Sequence, residues 1–114
     1  MSTLVVSVLG VGVLGPGLPS WPAAQGILCG REPFVPTPPV LAPPQRLPPA
    51  ERRRTGASIR LAMAVADEAV AQAGVDPQTL ATVFASSGGE GANCHVLCET
   101  LASADRQLSP TRFT

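Results

Sequence analysis

The sequences GASIRLAMAVADEAVAQA, residues 56–73, and TVFAS, residues 82–86, indicate the fold class. In the first, apolar side chains recur at steps of three and four residues, which is the spacing of one face of an α-helix. These side chains are Ile59, Ala62, Met63, Ala66, Ala69, Val70 and Ala73. Gly74 follows as a C-terminal cap and Asp76-Pro77 as a turn, before the β-branched residues of a short strand. The many alanines on the apolar face predict close approach of a neighbouring element.

A second strand is predicted at Leu4–Leu9, because LVVSVL is apolar on both faces, as in a central strand of a parallel sheet. Ser20 can cap a short helix from Trp21 to Cys29, and another helix is predicted over Cys94–Ala102. The order strand, helix, helix, strand, helix is typical of α/β crossovers. Two strands do not make a stable covered sheet, so we expect an incomplete parallel or mixed sheet covered by helices. Its other strands are missing or come from further protein.

The segment Pro33–Pro49 contains eight prolines in seventeen residues. Proline removes amide donors and favours extended geometry in the preceding residue, so neither helix nor paired strand is predicted there. One interpretation is a disordered linker, and the other is an ordered arm that crosses a larger body.

Composition excludes several classes of partner. Eight arginines balance eight acidic residues, which gives no electrostatic reason to expect nucleic acid or an anionic membrane as partner. Three cysteines without framework spacing indicate a reducing compartment. No basic residue precedes Arg31, and glycines and prolines interrupt the apolar N-terminal run, so neither a signal peptide nor a membrane span is predicted. We expect a cytoplasmic protein with a buried N-terminal strand.

The glycines Gly10, Gly12 and Gly15 have the G-x-G-x-x-G spacing of a dinucleotide-binding loop. Pro16 and the residues after it delay any helix that could hold a pyrophosphate, and Glu32 does not end a second strand. The alternative is a structural turn, which the departures from the nucleotide pattern favour.

Two other clusters of residues could have either a catalytic or metal-binding role or a purely structural one. Ser87 lies in Ala85-Ser86-Ser87-Gly88-Gly89, a relaxed nucleophile elbow, but His95 is the sole histidine and follows in the next helix, so a turn or cap is the alternative. Cys94 and Cys98 share a helix face while His95 points elsewhere, which is short of a closed zinc site. The alternative is a buried pair of apolar thiols. Cys29 is likewise expected in the core.

Three arginines, Arg52-Arg53-Arg54, precede the long helix. Their run is too short, and lacks the aromatic neighbours, for a nucleic-acid surface. They form either a solvated helix start or a contact with the carboxylates or phosphates of a partner.

Three segments together resemble the β-ketoacyl-acyl-carrier-protein synthases. The first is LVVSVLGVGVLGPGLPSWPAAQGILCGREPF, residues 4–34, with a strand, a Gly-x-Gly turn, a Pro/Gly loop and a Trp-containing helix. The second is RRRTGASIRLAMAVADEAVAQAGVDPQTLATVFASSGGEG, residues 52–91. The third, LCETLASADRQLSPTRFT, residues 97–114, is similar to a branch of synthase-like or chain-length-factor-like proteins of aryl polyene and xanthomonadin-type pigment clusters.

The resemblance implies the N-terminal part of a thiolase-like fold over residues 1–114, with 33–49 as a proline-rich arm. It implies that the glycines after the first strand form a tight turn. The nucleophilic cysteine and two histidines of a working synthase lie beyond the matching region, so Cys94 and His95 take neither role. Relatives have a histidine where Thr114 stands. We therefore predict no catalytic, cofactor-binding or metal-binding residue in this chain.

Three functions remain open at this point. The first is the N-terminal part of a ketosynthase-like protein, inactive alone, whose complete relatives join acyl and malonyl units held on acyl carrier protein in fatty acid, polyketide or aryl polyene biosynthesis. The second is a non-catalytic scaffold that binds a carrier protein or a ketosynthase subunit through the arginines and the arm. The third is a small serine hydrolase or nucleotide binder.

Overall fold

The computed structural model describes residues 1–110, and the architecture of that part is helical. Its α-helices are α1 (Trp21–Leu28), α2 (Pro49–Arg52), α3 (Ala57–Ala73) and α4 (Gly91–Ala102), with a 3₁₀ turn at Pro77–Thr79 between the last two. Three residues near the end of the family-like third segment, Thr111, Arg112 and Phe113, and the predicted departure at Thr114 lie outside the described residues.

Helix α1 begins at the predicted Trp21 and ends at Leu28, one residue before the predicted Cys29. The Ser20 hydroxyl accepts a hydrogen bond from the Ala23 amide at 3.4 Å, and Pro22 occupies the first turn. Such a cap satisfies an amide that the helix itself leaves free. Just before α1, Gly15 and Leu18 exchange two backbone hydrogen bonds of 2.9 and 3.0 Å around Pro16-Gly17. Gly17 has φ of 73°, which a residue with a side chain adopts at a cost.

Helix α3 is the element on which the N-terminal loop packs, and the loop contacts its backbone directly. A methyl group on Gly10 would collide with the carbonyl of Ala69, and one on Gly12 with the carbonyl of Val65. Glycine is thus required at both positions for close approach. Of the predicted alanine-rich face, Ala69 and Ala73 meet this loop, whereas Ile59, Ala62 and Met63 line an open groove.

Two side chains of α3 fix the same loop by hydrogen bonds. Gln72 Oε1 accepts from the Val11 amide at 2.5 Å, and the Glu68 carboxylate accepts from the amides of Val13 at 2.8 Å and Trp21 at 2.7 Å. These bonds satisfy backbone donors that no strand or helix satisfies. They also tie the start of α1 to the middle of α3.

The described residues contain no β-strand, although the loop after Leu4–Leu9 and the segment that contains Thr82–Ser86 both reach α3. Gly10 lies near Ala69 and Gly12 near Val65, so the N-terminal segment runs antiparallel to α3. The segment after Pro77–Thr79 also returns antiparallel to α3, because Ser58, near the start of α3, donates to the carbonyl of Gly89 at 3.0 Å. Both segments consequently run in the same direction, as a parallel sheet requires.

The predicted sheet itself is not confirmed. Leu4–Leu9 and Thr82–Ser86 form no hydrogen-bonded ladder, and one isolated bridge, between Gly15 and Leu18, is the β-type pairing in the described chain. A strand differs from a helix in that its backbone groups are satisfied by another segment of chain. No such neighbour reaches either segment within residues 1–110.

The proline-rich arm is held at several points up to Pro49, where α2 begins. The Gly17 amide donates to the Thr37 carbonyl at 2.8 Å, and Arg46 forms an ion pair with Asp67 of α3. Arg52 donates to the Leu47 carbonyl at 2.8 Å. These contacts hold the arm against α2 and α3.

Residues 1–110 enclose no continuous core. Ala24 and Pro44 are the buried residues of the described part. The radius of gyration is 18.1 Å, against about 13 Å for a compact domain of this length. The accessible surface is 8805 Å², against about 5,900 Å² for a folded chain of this mass. Large apolar surfaces thus remain uncovered.

The expected burial of the N-terminal strand is wrong for this chain. The apolar side chains of Leu4–Leu9 are 67–86% exposed, and Val83 of the second predicted strand is 96% exposed. Strands of this composition are buried when helices cover both faces of a sheet, and the described part of the chain forms neither a sheet nor helices on both sides of these segments. No helix among residues 1–110 is long and apolar enough to cross a membrane.

Candidate functional site

A polar groove lies where α2 leads into α3 and α4 begins. Its volume is about 490 Å³. Its lining combines charged, amide and aliphatic side chains: Arg53, Arg54, Ile59, Glu90, Asn93 and Val96. The groove exists because the short loop after α2 turns the chain into α3 beside the start of α4.

The three arginines of the run differ in their contacts. Arg52 is engaged by the arm, donating to the Leu47 carbonyl at 2.8 Å and to Gln45 Oε1 at 3.3 Å. Arg53 and Arg54 are exposed, and within the described residues neither guanidinium has an ion pair or hydrogen bond. Arg52 therefore has a structural role, while the next two cations face solvent at the groove.

Glu90 sets the electrostatics of the opposite side of the groove. Its carboxylate lies against the backbone of Gly56, the residue before α3. A negative charge is stabilised at the positive end of a helix dipole. With two unpaired cations against this one carboxylate, the groove suits a partner that presents carboxylates or phosphates.

A second, apolar groove runs along α3. Its volume is about 670 Å³, and side chains of α3 line it together with Phe84 and its neighbours. The α3 residues include Ile59, Ala62, Met63 and Val65. This groove is part of the apolar surface that the chain does not cover itself.

The glycine fingerprint serves packing. Gly10 and Gly12 press on the α3 backbone, and the intervening amides of the loop donate to Gln72 and Glu68. A pyrophosphate would have to displace these acceptors and would meet the negative charge of Glu68. The structure therefore explains the spacing of these glycines without a nucleotide.

The side chains of Ser86 and His95 make local contacts. Ser86, beside Ser87, accepts a hydrogen bond from the Gly89 amide at 2.9 Å, which is a local turn contact. His95 Nε2 lies 3.3 Å from Glu99 Oε1, four residues further along α4. The imidazole is thus paired within its own helix, and the glycine loop around Ser87 forms a turn.

The cysteines are placed differently from the expectation. Cys29, Cys94 and Cys98 are all exposed, so the predicted burial of these thiols is wrong. The reason is that no apolar element within residues 1–110 covers the faces of α1 and α4 that carry them. Residues 1–110 contain no group of three or more side chains able to hold a metal ion. Hydrogen bonding with Cys94, and then the charge of that neighbour, raises the pKa of the Cys98 thiol.

Sequence reasoning missed Glu68 and Gln72 as anchors of the loop, and Glu90 as part of the groove. Both anchors lie on α3 one turn apart, on the side that faces the glycine loop. A signal was present, since polar side chains interrupt the alanine-rich helix near the two glycines that need its backbone. The sequence did not show that the glycine loop contacts α3, because the two segments are far apart along the chain.

Comparison with known proteins identifies one family. A family model described as "Beta-ketoacyl synthase, N-terminal domain" matches residues 26–114, which is more than half of the chain. No curated protein and no solved structure was found to match.

Proposed function

The chain belongs to the β-ketoacyl synthase family through its N-terminal domain, and from that premise we propose that it forms part of a synthase-like protein that acts on acyl units held by acyl carrier protein. Family membership implies a thiolase-like fold. The match over residues 26–114 is the observation that carries this proposal.

The exposed apolar surface supports an incomplete unit. Leu4–Leu9, Val83 and the apolar groove beside α3 all lie open. Surfaces of this kind are typical of interfaces that further protein covers. In our proposal, residues 1–114 supply one portion of the fold, with 33–49 as an arm across it, and additional strands complete the sheet.

We place the catalytic groups of the synthase reaction outside these 114 residues. A decarboxylative condensation needs a nucleophile activated by a neighbouring base and groups that stabilise the developing charge. Among the described residues, hydrogen bonding with Cys94 raises the pKa of Cys98, which disfavours the nucleophilic thiolate. This feature opposes a nucleophilic role for Cys98.

Activity of the purified chain tests this assignment. We expect it to show no decarboxylation of malonyl-carrier protein and no acyl transfer above a protein-free control. Activity that the substitution Cys94→Ser or Cys98→Ser abolishes would overturn the assignment. Cys29→Ser is the matched control for loss of an exposed thiol.

A scaffold role is the second candidate, and Arg53 and Arg54 favour it. Two unpaired guanidiniums beside a groove can receive the carboxylates or phosphates of a partner. In this role the chain binds a carrier protein or a ketosynthase subunit without catalysing a reaction. The two candidates differ in whether the chain folds cooperatively on its own.

Binding of an acyl carrier protein, measured by calorimetry, tests the role of the arginines. Arg53→Glu and Arg54→Glu should each weaken binding by about fivefold, because an exposed ion pair contributes up to about 1 kcal/mol. Raised salt should weaken the wild-type complex as well. Arg31→Glu makes the same change of charge away from the groove and should have little effect. Equal losses in all three variants would contradict a contact at the groove.

The finer assignment rests on the C-terminal resemblance. The segment LCETLASADRQLSPTRFT supports the chain-length-factor-like branch of aryl polyene and xanthomonadin-type clusters. We propose this branch, and a cytoplasmic location for the protein. Carrier proteins loaded with acyl chains of different length and unsaturation, compared in the same binding assay, test the branch through a preference for polyunsaturated chains.

A further inference from the structure

Helix α4 carries two thiols that neither the family nor the groove explains. Cys94 and Cys98 are four residues apart within Gly91–Ala102, and both are exposed. Residues at this spacing lie on one face of a helix, with Cβ atoms about 5–6 Å apart. The two sulfur atoms therefore project into solvent side by side.

The same spacing limits what the pair can do. A disulfide requires Cβ atoms about 3.5–4.5 Å apart, so direct oxidation would have to distort the helix. A structural zinc ion needs four ligands, and the described residues offer no group of three. An atom that binds both sulfur atoms from one side bridges a longer distance than a direct S–S bond does. It also requires no third ligand from the protein.

We propose that Cys94 and Cys98 form a dithiol site for thiophilic electrophiles that take two sulfur ligands, with trivalent organic arsenicals as the ligand class. An arsenic(III) centre is pyramidal, so both sulfur atoms bind from the same side. A linear two-coordinate cation instead holds its sulfur ligands on opposite sides, which suits neighbouring thiols less well.

The reaction with phenylarsine oxide balances without an oxidant. Two S–H bonds and the arsenic–oxygen bond break, two S–As bonds form, and the oxygen leaves as water with both thiol protons. Arsenic remains trivalent and the sulfur atoms keep their oxidation state. Contact between the thiols also accounts for the raised pKa of Cys98, since each S–H partner stabilises the protonated form of the other.

Mass spectrometry of the intact 114-residue chain with phenylarsine oxide and excess monothiol tests the proposal. We expect one arsenical per chain, released by a dithiol competitor. Cys94→Ser and Cys98→Ser should each weaken retention about a hundredfold, because the second thiol then no longer acts at high effective concentration. Cys29→Ser should retain the wild-type affinity.

The register of the helix provides a sharper control. The double substitution Cys98→Ser with Glu99→Cys keeps two thiols but moves one about 100° around the helix. It should lose monothiol-resistant binding if the helical face makes the site, and retain it if the segment is an unstructured dithiol. Retention in this variant, or in either single serine variant, would overturn the proposal, as would no adduct on the wild-type chain.

Discussion

Glu68 joins two parts of the chain with one carboxylate. It accepts from the Val13 and Trp21 amides at 2.8 and 2.7 Å. Glu68→Gln leaves one acceptor oxygen and points an amide donor at the other N–H, which should cost about 1–3 kcal/mol locally. Hydrogen exchange at the Val13 and Trp21 amides should therefore speed up by about tenfold or more.

Glu99→Gln is the control for that substitution, because it removes an exposed carboxylate from α4 and should leave both amides unchanged. Unchanged exchange in Glu68→Gln would show that the carboxylate does not anchor the loop.

Substitution by alanine distinguishes a crowded glycine of the fingerprint, Gly12, from an uncrowded one, Gly15. Gly12→Ala places a methyl against the Val65 carbonyl, whereas at Gly15 nothing lies within 4 Å of the added atom. Overpacking of this type costs about 1–3 kcal/mol. We expect Gly12→Ala to release the loop from α3, seen as faster exchange at Val11 and Val13, and Gly15→Ala to leave it in place. Equal behaviour would contradict the packing role.

Cys98 offers a pH-dependent test. Its pKa is raised by hydrogen bonding with Cys94, so less of it is thiolate at neutral pH than for an isolated cysteine. Cys94→Ala removes the partner and should lower the pKa, shifting the pH profile of iodoacetamide alkylation at Cys98 to lower pH. Cys29→Ala should leave that profile unchanged. A profile that does not move in Cys94→Ala would exclude the thiol contact.

Single residues were well predicted where their role is local. Ser20 as a cap and Gly74 after α3 follow from neighbours in sequence, because each acts on its own helix terminus. The exposure of Cys94 and Cys98 was missed because burial depends on what other segments cover, and a helical pattern carries no information on whether that cover exists.

Among the elements, helices were easier to predict than strands. Helix α3 was expected over 56–73 and occurs at Ala57–Ala73, and α1 ends one residue before its predicted limit. Helix α4 begins three residues before the predicted Cys94, and α2 was missed because it begins within the proline run. Helices satisfy their own backbone groups, whereas strands need a partner that local sequence does not identify.

The C-terminus of α3 is the element whose stability is easiest to alter. Gly74 has φ of 66° and no atom near an added methyl, so Gly74→Ala carries a purely conformational cost of about 1 kcal/mol. Far-UV circular dichroism should show loss of the last turn of α3. Gly91→Ala, at the first residue of α4 and equally uncrowded, should instead raise helicity. Loss of helicity in both would contradict the left-handed cap.

The whole molecule is an open arrangement held by one helix. Loop, arm and C-terminal segment all contact α3, yet Ala24 and Pro44 are the buried residues of the described chain. The order of elements predicts an α/β class, but the described residues form helices and no sheet. The missing sheet could be expected from two strands alone, since further strands must supply their hydrogen bonds.

Differential scanning calorimetry of the isolated chain tests most directly whether this unit needs further protein. An independently folded domain of 114 residues would unfold in one sharp transition with an enthalpy of about 80 kcal/mol. Our account predicts a broad transition of much smaller enthalpy, because most of the apolar surface is already exposed before unfolding. A sharp two-state transition at the full enthalpy would contradict it and favour a self-contained binding protein.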